Sequence, residues 1–278
     1  MIASHGGHAD NPRMTITLKY GRMDRQPDVA GFDDLLNRYP LNHFNSPKRS
    51  TVPLLAYWKD PGRCQDFLRQ LAIQPSAEPD SLTLAFEYEV DVQAGKGFPS
   101  CTDLMILGNN RVVAVEAKNF EPDYETVKSW LRKSDRDNRR AVLQGWLSLL
   151  NRTTDSQLSH RDVMDLAYQA VHRAASACFP LAGQPGVSRF MVYQVFTDLD
   201  PQTPKIAQDL TVLAKMIPSA ALRIACVTVR YERTPAYRAL EERWVKEKER
   251  LLREEVIEGL RQDSFFGFSE TTGLLFEG

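Results

Sequence analysis

Residues 99–120 read PSCTDLMILGNNRVVAVEAKNF, two apolar runs joined by a short polar turn, with three charged side chains set into them. Runs in which Leu104 alternates with Ile106, and Val113 with Val115, are strands with at least one buried face. Asp103, Glu116 and Lys118 therefore stand where a core belongs, and charge taken out of water is costly unless it is paired. Successive side chains of a strand point to opposite faces, so Val113, Val115 and Ala117 share one side while Ala114, Glu116 and Lys118 share the other. The turn at Gly108, Asn109 and Asn110 makes the two strands antiparallel, which brings Asp103 beside the end that carries Glu116 and Lys118. Two carboxylates and one ammonium converge at one rim of a sheet.

Crowded carboxylates raise each other's pKa unless a cation lies between them, and a hard divalent ion, Mg2+ or Mn2+, suits oxygen donors. A metal held by two acids completes its shell with an anionic oxygen substrate, and a lysine alongside stabilises negative charge or orients the attacking water. That combination describes hydrolysis of a phosphodiester. The competing structural explanation is a cross-strand salt bridge on a solvated face.

The remaining sequence supplies the setting. Residues 1 to about 28 are polar and without a sustained period, a loose leader in which Thr15 to Leu18 could make a short strand. Its His5 and His8 are read as coincidence rather than as a metal site. Short helices are predicted over 33–39, 53–59 and 61–71, the second capped by Ser50 or Thr51 with Pro53 in its first turn. Phe86, Tyr88, Val90 and Val92 alternate with Glu87, Glu89, Asp91 and Gln93 as a half-buried strand that ends at Gly95 and Gly97. With strands over 102–107 and 111–118 this makes a three-stranded meander. Helical spacing follows through Leu150, broken near 135–138, and a second helix covers about 161–178. Strands over 189–197 and 222–231 flank a helix over 201–216, and a long helix is predicted over 236–260. The tail, with Phe265, Phe266, Phe268 and Leu274 to Phe276, is too apolar for solvent and should dock on this chain or on a partner. The expected fold class is α/β. Three segments, 1–78, 79–232 and 233–278, are expected to pack as one compact domain.

Composition narrows the function classes. A chain of 278 residues, 42% hydrophobic and 26% charged, can bury a proper core. No apolar run approaches the ~18 residues of a membrane helix, and the first twenty residues lack the centre of a signal peptide. Four scattered cysteines, Cys64, Cys101, Cys178 and Cys226, imply neither a disulfide framework nor a zinc site, which fits a reducing cytoplasm. The net charge of −1 means that nucleic-acid binding must come from a local basic surface.

Thr102-Asp103, twelve intervening residues, then Glu116-Ala117-Lys118 on an apolar hairpin resembles the signature of the PD-(D/E)XK nuclease superfamily, the restriction-endonuclease-like fold. Thr102 stands where the motif's name has proline. The resemblance implies a mixed central sheet flanked by helices with an αβββαβ core, an order that the predicted elements follow from about Leu82 to Tyr231. It implies that Asp103 and Glu116 bind Mg2+ together with the carbonyl of Ala117, and that Lys118 assists the attacking water. Many members supply an additional acid before the motif; Glu87 and Glu89 are both placed for it, Glu89 nearer the Asp103 end if residues 95–99 form the connection. Some branches carry a glutamine on the following helix that reaches back to the site, and Gln144 within AVLQGWL is its counterpart.

A basic surface is expected from Lys128, Arg132, Lys133, Arg136, Arg139 and Arg140, with Trp130 as the one aromatic for base stacking and Lys96 as a possible phosphate contact. The leading expectation is a metal-dependent endonuclease acting on DNA, of the restriction, phage-defence or repair kind, working as a homodimer or higher oligomer. The alternatives are a nucleic-acid-binding or scaffolding protein that kept the fold and lost turnover, and an RNA-cleaving effector.

Overall fold

A computed structural model describes residues 15–21, 28–73, 81–92, 94–97, 99–119, 125–133, 135–198, 206–218, 220–247 and 253–277. Their alternating and helical apolar patterns assemble around a seven-stranded sheet whose spatial order is the chain order. The strands are β1 (Thr15–Tyr20), β2 (Ser81–Val90), β3 (Ser100–Gly108), β4 (Arg111–Asn119), β5 (Ser188–Thr197), β6 (Arg223–Arg233) and β7 (Phe266–Phe276). β2, β3 and β4 form the antiparallel meander, with Gly108 paired to Arg111 across a two-residue turn. β1 runs parallel to β2, β5 to β4 and β6 to β5, while β7 closes the far edge antiparallel to β6.

Helices cover both faces, which is why β4, with RVVAVEAKN, is buried at every residue. On one face α1 (Phe32–Arg38), α2 (Thr51–Trp58), α3 (Pro61–Gln70), α9 (Pro235–Glu247) and α10 (Arg253–Arg261) join a core with Leu104, Ile106, Val113, Val115 and Ala117. On the other, α4 (Val127–Arg132), α5 (Arg136–Thr154), α6 (His160–Val163), α7 (Tyr168–Cys178) and α8 (Ile206–Met216) pack on Ala85, Met105, Val112, Ala114 and Tyr193. The mixed α/β class is as expected. No helix among the described residues is long and apolar enough to cross a membrane.

Three expectations are corrected. The leader is not loose throughout: the short strand allowed over Thr15 to Leu18 forms and extends to Tyr20 as β1, whose Ile16, Leu18 and Tyr20 pack on the first core. The helix expected over 161–178 is two, α6 and α7. The long helix over 236–260 is also two. Trp244 and Arg253 both bond Asn45, and Arg243 pairs with Glu255, contacts that a straight helix would hold ~14–18 Å apart at 1.5 Å per residue. Leu251 and Leu252, like His5 and His8, lie outside the described residues. The apolar tail docks on this chain as β7. Its Phe265 ring lies over Gly259 of α10, where an added Cβ would come within 1.9 Å of the ring.

Candidate functional site

The meander opens where the charges sit. Pairing of β3 with β4 runs from Gly108 to Leu104, opposite Val115, and stops there. Beyond that point the Ala117 N–H donates to Asp103 Oδ2 at 2.7 Å, so a carboxylate replaces the neighbouring strand. The N–H and C=O of one residue point to the same edge of an extended strand, so the Ala117 carbonyl also faces this split.

A local reversal in β2 accompanies it. Leu84 and Phe86 belong to one core, yet Ala85, Tyr88 and Val90 all belong to the other, so strict alternation breaks between 86 and 88. Glu87 makes the break with a left-handed φ of 50°, a conformation costing roughly 1–2 kcal/mol outside glycine. The pairs Phe86 with Leu104 and Tyr88 with Thr102 place Glu87 opposite Asp103. Thr102 thereby shares the Tyr88 face, where α7 lies. Backbone strain of this kind concentrates at functional sites.

Glu116 is 2% exposed and meets two cations. Its Oε1 accepts from Lys118 Nζ at 2.8 Å, and its Oε2 accepts from Arg173 Nε on α7. The Arg173 guanidinium, 5% exposed, also donates to Thr102 Oγ1 at 3.1 Å, to Ser100 Oγ at 3.4 Å and to the Cys101 carbonyl. It ties the freed start of β3 to β4. Burial alone would push the Glu116 carboxyl up, but Arg173 and Lys118 outweigh it and hold it down to about 2. Burial and then Glu116 push Asp103 well above the usual carboxylate range. Burial likewise lifts Glu87 to about 7, against the pull of Arg173 and with Glu116 repelling it. His43 Nδ1 stands 3.7 Å from Glu87 Oε1, and burial followed by Arg49 lowers its pKa. His172, next to Arg173, is pushed down to about 3 by burial and by that arginine, so it is neutral.

Asp103, Glu116 and Lys118 are thus brought together, with Ala117 at the split. Glu87, not Glu89, is the acid whose charge acts on Asp103 and which is itself repelled by Glu116; Glu89 lies opposite Cys101 and acts on Tyr20 and Cys101. Gln144 is not at the site. It is exposed on α5, its Nε2 bonds Ser148 Oγ at 3.2 Å, and it lines a separate pocket of about 560 Å³ with Asp91 and Arg152. The apolar neighbours that argued for an inward glutamine occupy a face one step around the helix. Arg173 was missed; its signal is a lone arginine inside the apolar run YQAVHRAASAC. Among the described residues no three His, Cys, Asp or Glu side chains form a metal cage, so the donors on offer are two carboxylates and a main-chain carbonyl.

The basic residues gather beside this end. Asn138 bonds the main chain of Lys96 in both directions, which fixes the glycine loop against α5; Gly95, at φ 76°, has no room for a Cβ beside Val142. Lys96, Lys128, Arg132, Lys133, Arg136 and Arg140 are exposed. Arg139 lies 4.9 Å over the Trp130 ring, whose indole also stacks on Tyr168 at 3.9 Å. Trp130 is therefore already sandwiched and is no platform for bases. Tyr168 belongs to the helix that carries Arg173, so the basic surface and the acidic cluster share α7 as a wall.

Seven mixed strands between two helical layers define the class as an α/β protein. Within it the chain belongs to the family described as a domain of unknown function (DUF6946), whose model matches residues 29–249. That stretch includes every residue of the charged cluster. No curated protein and no solved structure matches the chain.

Proposed function

We propose that this protein is a metal-dependent nuclease of the PD-(D/E)XK kind, hydrolysing phosphodiester bonds of DNA. The observation that carries the reading is the split at the end of the β3–β4 ladder, where Asp103, Glu116, Lys118 and the Ala117 carbonyl edge face one place. The order α3, β2, β3, β4, then helices and β5 parallel to β4, supports the αβββαβ comparison. The donor set suits a hard cation, with Asp103, Glu116 and the Ala117 carbonyl as holders. Bound there, Mg2+ or Mn2+ would polarise a phosphoryl oxygen and so make the phosphorus under attack more electrophilic. Lys118 stabilises the negative charge that builds on the phosphoryl oxygens, Glu87 is the additional acid, and the ridge from Lys96 to Arg140 receives the backbone. Cleavage of both strands of a duplex is most simply done by two copies, so a homodimer belongs to the same proposal.

A second reading has its own support. Glu116 is already satisfied by two cations, which is what a retained structural ion cluster in a non-cutting binding protein would look like. Incubation of the purified chain with plasmid, linear duplex, single-stranded DNA and RNA, each with Mg2+, Mn2+ or EDTA, separates the readings. DNA cleavage abolished by EDTA is expected; binding without cleavage of any substrate favours the second, and cleavage of RNA alone makes the substrate class wrong.

A further inference from the structure

Arg173 poses a problem for any cation that enters the split. Its Nε bonds one Glu116 oxygen and Lys118 the other, so a divalent ion that shares either oxygen meets a cation already there, and like charge favours release of one of them. Arg173 is the more exposed to this loss. Its other partners, the hydroxyls of Thr102 and Ser100 and the Cys101 carbonyl, are neutral and would keep the guanidinium in the split. A guanidinium 5% exposed needs an anion in place of Glu116, because an unpaired buried charge is strongly destabilising. Of the other acids whose charge it meets, Asp103 would go to the metal and Glu87 is lifted by burial to about 7, toward its neutral form. The anion that matches its planar fork is a phosphate oxygen pair.

We propose that Arg173 is the resident cation of the site and exchanges partners on loading: a divalent metal takes Glu116, and a phosphodiester takes Arg173. The idea rests on the nuclease reading and deepens it, since metal and phosphate then bind with positive coupling and neither loads well alone. Reciprocity requires the same coupling factor in both directions. An empty site stays closed by its own ion pair.

The test uses the full chain and Mn2+ binding, followed by electron paramagnetic resonance, with no turnover needed. Arg173→Gln should bind Mn2+ at least tenfold more tightly than the parent, while Arg173→Lys, which keeps the charge, should stay within a few-fold of it. Glu116→Gln should abolish binding in both backgrounds. If folded Arg173→Gln binds Mn2+ no better than the parent, the competition is wrong although the metal site stands. If neither the parent nor Arg173→Gln binds Mn2+, the metal assignment falls, and this inference with it. Should Arg173→Gln fail to fold, the parent answers: the Arg173 Nε–H, protected by Glu116, should lose its slow exchange in nuclear magnetic resonance spectra when Mg2+ saturates the site. Protection that persists at saturation overturns the exchange.

Discussion

Lys118 and Arg173 both contact Glu116, yet the proposed reaction asks different things of them. Lys118 is a neighbour on the same strand face and works on charge that exists only during the reaction. Replacing it by alanine should leave Mn2+ binding at least as tight as in the parent and lower cleavage by about 10^2-fold or more, measured as turnover at saturating DNA. Normal turnover in Lys118→Ala would reduce the lysine to a salt-bridge partner. Asp103, Glu116 and Lys118 were legible in the sequence because alternation and a short turn determine which side chains share a face and an end. The choice of Glu87 over Glu89 was not, since one left-handed residue resets the alternation and nothing in a Glu-Tyr-Glu stretch announces it. Arg173 was not either, because it lies 57 residues from Glu116 on a helix that otherwise reads as buried packing.

At the scale of elements, one charged clasp holds the helical layer to the end of the site strand. Glu241 of α9 accepts from Lys48 at 2.9 Å and from Arg233 of β6 at 2.7 Å, Tyr237 donates to the Pro47 carbonyl at 2.9 Å, and Asn119, next to Lys118, donates to the Lys48 carbonyl at 3.0 Å. Burial would raise the Glu241 pKa, but the hydrogen bonds from Lys48 and Arg233 prevail and lower it. A folded-state pKa below the unfolded value, about 4.3, gives stability that is present above that pH and lost as pH falls through the folded value. Glu241→Gln should therefore cost roughly 1–2 kcal/mol at neutral pH, and the gap from the parent should close below about pH 4 in urea titrations. A gap independent of pH would mean that the ionised carboxylate contributes nothing. The helices and inner strands were visible from periodicity. β1 and β7 were harder, because an edge strand's partner is remote in sequence, and β7 reads FGFSETTGLLF with a register shift against Arg230 and Tyr231 that spoils alternation.

For the whole molecule, a net charge of −1 means that the nucleic-acid affinity the proposed function requires must come from a local surface, for which the ridge of Lys96, α4 and α5 is the candidate. Reversing Arg132, Lys133 and Arg136 to glutamate should weaken binding to all sequences alike. It should also flatten the plot of log affinity against log salt by about 0.9 for each phosphate that the ridge no longer neutralises. Folding should barely change, since these charges are exposed. An unchanged slope would move the substrate path to another face. Two-strand cleavage further predicts a dimer in sedimentation, and a strictly monomeric active protein would remove the two-site geometry. The measurement that bears hardest on the site is cleavage of a DNA duplex with Mg2+ by the parent and by Asp103→Asn, each confirmed folded by its circular dichroism spectrum and melting temperature. The parent should cut and the folded variant should not, because the proposed reaction needs Asp103 to hold the metal, while Asp103 lies outside both hydrophobic cores. Equal cleavage by both would contradict the assignment of the β3–β4 split as an active site.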